Sequence, residues 1–143
     1  MEIRTEVEIA APAAQVWHAL TDFADYHEWN PFITHISGEL REGETLTVCL
    51  SLPEGSDHEL RPELLRCQTN EELRWRGHLL FPGLFDGEHF FRLQELAPNR
   101  TRFVHGENFS GIFVRFAGRT ITRAARGFVY MNQALKKRVE AGA

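Results

Sequence analysis

The sequence predicts an α+β fold: a seven-stranded, curved antiparallel sheet around one long C-terminal helix, with two short helices after the first strand. Three observations predict it. Apolar residues recur at every second position through residues 2–10 and most of 34–110, the period of a half-buried strand. The last thirty residues switch to a helical repeat, with Ala117, Ile121, Ala124, Phe128, Met131, Leu135 and Val139 spaced three or four apart. At 143 residues, 43% of them apolar, the chain makes one domain, residues 1–143, because two would each be too small to bury a good core.

The elements follow in order. Ile3, Thr5, Val7 and Ile9 alternate with Glu2, Arg4, Glu6 and Glu8 as the first strand. Pro12 suits the first turn of a helix, where a missing N–H costs nothing, and Ala13, Val16, Trp17 and Leu20 form its apolar stripe. Asp22 can cap a second short helix carrying Phe23 and Tyr26, and Asn30-Pro31 ends it. A strand over 34–41 turns at Glu42-Gly43 into a strand over 45–52. The polar run 53–59 reads as a loop. A strand over 60–69 carries Pro62, the mark of an edge or bulge, and is followed by one over 72–79. Residues 86–96 and 101–110 form a last hairpin around the turn 97–100. Gly118 and Gly127 interrupt the long helix, each at about 1 kcal/mol relative to alanine, so each permits a bend or close packing.

Composition narrows function. The charged fraction of 25% and the apolar fraction are those of a globular chain, neither disordered nor fibrous. No stretch approaches the ~20 apolar residues of a membrane span, so no integral membrane protein is expected. The first ten residues carry Glu2, Arg4, Glu6 and Glu8 and form no signal-peptide core, which points to the cytoplasm. Cys49 and Cys67 then read as reduced thiols. From Phe113 onward seven basic residues face one acid, giving +6 against −10 for the first 112 residues. That basic stretch is a solvated helix face or an attractant for an anionic surface. An acidic chain with no recognition motif argues against nucleic acid.

A helix is only ~10–12 Å wide, whereas seven strands at ~4.8 Å spacing are far wider. The sheet must therefore curl, and a curled sheet around one rod leaves either an apolar hollow or a core filled by the eleven phenylalanines and three tryptophans. Phe103, His105, Glu107 and Phe109 share one face of the last strand, and His89, Phe91 and Leu93 one face of the strand before it. The apolar members turn both faces inward and carry His89, His105 and Glu107 with them. A turn centred on Pro98 sets Phe91 opposite His105 and His89 opposite Glu107, with Cβ atoms ~4.5–5.5 Å apart. Four roles are open to this cluster: a satisfied polar pair that fixes register, a ligand anchor, an acid–base pair, or a two-histidine, one-carboxylate metal site lacking a fourth ligand. No metal or cofactor is expected, since no nucleotide-binding, metalloprotease or serine-nucleophile motif is present. His18, His35 and His78 read as outward, His58 as a loop residue, and His27 as undecided.

IAAPAAQVWHALTDFADYHEWNPFI (9–33) resembles the N-terminal signature of the START-related, birch-allergen-like (SRPBCC) superfamily, closest to its bacterial polyketide cyclase/dehydrase-type members. LFDGEHFFRLQEL (84–96) and TRFVHGENFSGIF (101–113) look like the last hairpin of the same subgroup. The resemblance covers essentially the whole chain. It implies a helix-grip fold with an internal hydrophobic cavity, in a family whose members bind lipids, sterols, hormones or polyketides, some of them as cyclases. Function does not transfer with the fold.

The expected wall comprises Trp29, Phe32, Trp75, Phe91 and Phe109, with Phe116, Thr120 and Ala124 from the long helix. The run LLFPGLF (79–85) adds Phe81 and Phe85 and reads as a lid, a dimer contact or a membrane contact. The leading expectation is a binder of a small hydrophobic ligand, oriented by His89, His105 and Glu107 and either monomeric or dimeric through 79–85. One alternative is a polyketide-type cyclase or dehydratase using His105 and Glu107, with His89, as acid and base. Another is an interaction or co-chaperone-like module with no small ligand.

Overall fold

Alternation extends Glu2–Ile9 as β1, and Pro12 turns the chain into α1 (Ala13–Thr21), whose Val16, Trp17 and Leu20 are buried. The computed structural model describes residues 1–55, 57–79 and 83–142. A 3-10 turn at Phe23–Asp25 leads into the single turn of α2 (Tyr26–Trp29). Asn30 then folds its side chain back, and its Oδ1 accepts from the backbone N–H groups of Phe32 and Ile33, both at 2.9 Å. This Asx-type turn fixes where Phe32 enters the interior.

The remaining strands are β2 (Ile33–Ser37), β3 (Thr47–Ser51), β4 (Asp57–Leu60), β5 (Glu63–Gln68), β6 (Glu72–Leu79), β7 (Phe85–Ala97) and β8 (Arg100–Ser110). Among the described residues there are thus eight strands in two antiparallel sheets, β1-β8-β7-β6-β5 and β2-β3-β4, and not the expected seven in one. The difference has a local cause. Pro62 lacks an N–H and lies in the break between β4, which pairs with β3, and β5, which pairs with β6. Its carbonyl accepts from Leu46 N at 2.8 Å, and Leu64 N donates to Glu44 O at 2.8 Å. These bonds and the Thr45–Glu63 bridge tie the two sheets at one corner, so the wall curves there. Asp57–Leu60 pairs with β3, so part of the expected 53–59 loop is strand. The strand expected over 34–41 stops at Ser37.

The β7–β8 register is the expected one: His89 opposes Glu107 and Phe91 opposes His105, with an irregularity between Glu95 and Ala97 beside the turn. On the outer face Phe90 is also buried, under the guanidinium groups of Arg74 and Arg92 at 4.8 and 4.6 Å from its ring. Two cations shield an aromatic ring from water there, a contact each contributes to through its charge and its aliphatic stem.

The long helix, α3 (Gly118–Glu140), lays Ile121, Ala124, Phe128, Met131, Leu135 and Val139 on the inner face of the sheets. Its C-terminal end is pinned to β1: Lys136 Nζ donates to Glu8 O, and Glu140 accepts from Ala10 N, both at 2.8 Å. Gly127 serves close packing, since a Cβ there would overlap the Phe32 ring. No helix among the described residues is long and apolar enough to cross a membrane.

Candidate functional site

β7 and β8 project His89, His105 and Glu107 inward, and the three side chains join into one row. His89 Nδ1 is hydrogen-bonded to Glu107 Oε1 at 3.0 Å, and His89 Nε2 to His105 Nε2 at 2.7 Å. The row continues into α3: His105 Nδ1 donates to Asn132 Oδ1 at 2.8 Å. Asn132 Nδ2 donates to Thr5 Oγ1 at 2.8 Å, and the Thr5 hydroxyl donates to the His105 carbonyl at 2.8 Å. Three strands and one helix thus share one polar chain inside an apolar core, in which every ring nitrogen of His89 and His105 has a partner, the arrangement that makes buried polar groups tolerable.

Aromatic rings enclose it. Trp75 on β6 stacks on His89 at 5.3 Å, and Phe128 on α3 stacks on His105 at 4.2 Å with 16° between planes. His105 is 0% exposed. Burial first, and the neighbouring His89 second, hold its pKa well below the ordinary value, while the bond to Asn132 pulls the other way.

A pocket of about 110 Å3 opens between the two sheets and α3. A single water needs about 10–15 Å3 on this measure, so the hollow exceeds a packing defect. Of the expected wall residues, Phe32, Trp75, Phe85 and Phe109 line it, with Thr120 and Ala124 from α3. His89 and Glu107 are the polar groups away from the rim, where His58, His78 and Thr120 are exposed. His78, expected to face outward, is exposed and also borders the pocket. Val48, Leu50, Leu52 and Leu60 complete the wall from the smaller sheet. Their alternation marked a strand face, but only the curl of that sheet brings them opposite β7 and β8.

Four expected site residues, His105 and three of the wall, stand elsewhere. His105 and Phe91 are fully buried behind the pocket, so His105 acts on it only through His89. Trp29 packs edge-on against Tyr26 at 5.2 Å, outside the pocket lining. Phe116 is 72% exposed under the Arg115 guanidinium, because the chain forms a 3-10 turn at Val114–Phe116 and α3 starts only at Gly118. Of the run 79–85, Phe81 and its neighbours 80 and 82 lie outside the described residues. The carbonyls of Gly83 and Leu84 accept from Ile112 and Phe113.

Asn132 was missed. Its signal was an amide four residues after Phe128 and next to Met131, on the buried stripe of an otherwise apolar helix face. Among the described residues no cluster of His, Cys, Asp and Glu could hold a metal ion.

A family model described as "Polyketide cyclase / dehydrase and lipid transport" matches residues 1–140. No curated protein sequence matches. Among solved structures, a START superfamily protein from Mycobacterium smegmatis has a TM-score of 0.79 at 19% identity, covering 99% of each chain. A protein from Mesorhizobium loti has a TM-score of 0.78 at 20% identity, over 100% of this chain and 99% of that one. An aromatase/cyclase from a Streptomyces species reaches 0.75 at 17% identity, over 98% of this chain and 93% of that one. At these identities the structural likeness establishes the fold, and the family match over nearly every residue establishes descent: the chain belongs to the polyketide cyclase/dehydrase and lipid transport family.

Proposed function

We propose that the protein holds a small hydrophobic molecule in the hollow between the sheets and α3. The observation that carries this reading is the lining itself: aromatic and aliphatic side chains from both sheets and the helix, with His89 and Glu107 converging at one place. That combination of apolar wall and few polar groups is what small-molecule sites require. Affinity would come from apolar burial, ~25 cal/mol per Å2 before the cost of association. Native mass spectrometry of freshly purified protein, followed by displacement of an apolar fluorescent dye, tests it. A co-purified small molecule, or dye uptake abolished by Ala124→Trp in a folded variant, is expected. Dye uptake indifferent to a filled pocket would overturn the reading.

A second reading, cyclase or dehydratase chemistry on a polyketide-like substrate, is favoured by the imidazole–carboxylate pair of His89 and Glu107 at the pocket wall. The family's description includes such enzymes. Proton transfer there would fall to Glu107 and His89, since His105 does not reach the pocket. Turnover of a polyketide-like substrate lost in Glu107→Gln, with binding retained, would favour catalysis over carriage.

A further inference from the structure

The polar row has a direction, and the direction specifies what its pocket end can recognise. It starts at a group whose role is fixed: the His105 carbonyl can only accept, so the Thr5 hydroxyl donates to it. The single hydroxyl proton is then used, and Thr5 Oγ1 must accept from Asn132 Nδ2. The opposite amide orientation would set two acceptors against each other. Asn132 Oδ1 therefore faces His105, whose Nδ1 carries the proton. Buried and neutral, His105 presents a bare Nε2, which must accept from His89 Nε2.

One link remains. His89 Nδ1 and Glu107 Oε1 are 3.0 Å apart, and a proton must lie between them. It resides on the ring, as an imidazolium facing a carboxylate, or on the carboxyl facing a neutral ring. In both states the His89–Glu107 pair is neutral as a unit. In both states the other oxygen, Oε2, carries no proton and accepts. Among the described residues the Glu107 carboxylate has no partner except His89. Gly87 makes room for it: a Cβ at that position would overlap Oε2. Glu107 and Gly87 both line the pocket, and among the described lining residues there is no lysine or arginine.

We infer that the pocket recognises an uncharged hydroxyl, an alcohol or phenol on an apolar body, which donates its hydrogen bond to Glu107 Oε2. A carboxylate would meet an acceptor, with no lysine or arginine among the described lining residues to compensate it. An ammonium would meet a pair already neutral, at the cost of burying its charge. A bare hydrocarbon would leave Oε2 dry and unpaired. This inference rests on the hydrophobic-pocket reading above and narrows it to a ligand class.

The test uses three molecules of matched shape: thymol, p-cymene, which is thymol without its hydroxyl, and p-isopropylbenzoate. Binding is followed on the intact protein by the Trp75 indole NMR signal. Thymol should bind roughly tenfold more tightly than p-cymene, the range for a hydrogen bond to a charged or partly charged acceptor, and the benzoate most weakly. In Glu107→Leu the advantage of thymol over p-cymene should vanish. Equal binding of thymol and p-cymene to the natural protein, or tightest binding of the benzoate, would overturn the inference while leaving the pocket reading intact. So would a thymol advantage that survives in a folded Glu107→Leu. If none of the three shifts Trp75, the pocket reading itself fails. The ranking on the unaltered protein needs no variant, so a Glu107→Leu chain that does not fold leaves the test standing.

Discussion

His89 and His105 meet through their Nε2 atoms at 2.7 Å, one ring reaching the pocket and the other sealed behind it. They are diagonal neighbours on adjacent strands, so the contact needs both rings to lean along the sheet. Trp75 and Phe128, stacked on one ring each, hold them there.

The row depends on a side chain outside the sheet. Asn132→Leu would leave the His105 Nδ1–H without an acceptor and Thr5 without a donor. A buried polar group left unpaired costs about 1–3 kcal/mol. Urea unfolding should register a loss of that size. In a double-mutant cycle, Thr5→Val should cost less in the Asn132→Leu background than in the natural protein, because the partner is already gone. Additive effects would mean that Thr5 and Asn132 do not work through each other.

His105 makes stability depend on pH. Its native pKa is held well below 6.5 by burial and by His89, whereas the unfolded chain binds a proton at His105 near pH ~6.5. Below that pH the unfolded state holds more protons, so stability falls as pH drops, by up to about 1.4 kcal/mol per pH unit from this group. Above pH ~7 the group adds no slope. The groups facing it are His89 on β7, with Glu107 beyond, Asn132 and Phe128 on α3, and Thr5 on β1; of these, His89 and Glu107 are the ionisable side chains. Urea unfolding at pH about 5 and about 7.5 should show the slope, and His105→Gln, which binds no proton at either pH, should reduce it. An unchanged slope in the variant would place the acid sensitivity in other groups.

Why Glu107 and His89 could be paired from the sequence, and Asn132 could not be added, comes down to periodicity. Inward alternation on two strands joined by a short turn fixes both face and register, and the pairing of residues 89 with 107 follows from the turn alone. The helix meets the sheet through a roll angle and an offset that no local rule supplies. An asparagine on its stripe could face a core atom or water until the Thr5 and His105 partners are in place. The same limit explains the sheet. Pro62 announced a break, but how the two sheets stay joined across it depends on bonds from Leu46 N to Pro62 O and from Leu64 N to Glu44 O, between residues distant in sequence. Phe116 was misplaced because three or four residues of spacing continue across the 3-10 turn before Gly118, and periodicity cannot see where a helix starts without a capping side chain.

Gly127 couples helix packing to pocket volume. Gly127→Ala adds a methyl where the Phe32 ring already lies, and Phe32 is a pocket wall. Overpacking costs about 1–3 kcal/mol, offset in part by the ~1 kcal/mol gain in helix propensity. Phe32 is held at its backbone by Asn30, so the ring must swing into the hollow. Unfolding should show a loss of at most about 2 kcal/mol, and uptake of an apolar dye should fall in parallel. A stabilised variant with undiminished dye uptake would mean that Phe32 yields in another direction.

Phe128 controls the environment of His105 directly. Its ring lies flat on the imidazole at 4.2 Å and edge-on to Phe32 at 5.4 Å, so it both excludes water from the row and braces the pocket wall. Phe128→Ala should cost about 3–5 kcal/mol, the range for a buried phenylalanine. Phe128→Leu keeps the site apolar at a smaller loss and isolates the second effect. With the stack removed and a gap beside the ring, water reaches His105, the desolvation that depresses its pKa weakens, and the value rises toward that of an ordinary histidine. Ring-proton NMR across the acid range should follow this as a His105 titration that moves to higher pH in Phe128→Leu. A His105 that titrates where it does in the natural protein would mean that the charge of His89, and not the exclusion of water by Phe128, is what keeps it neutral.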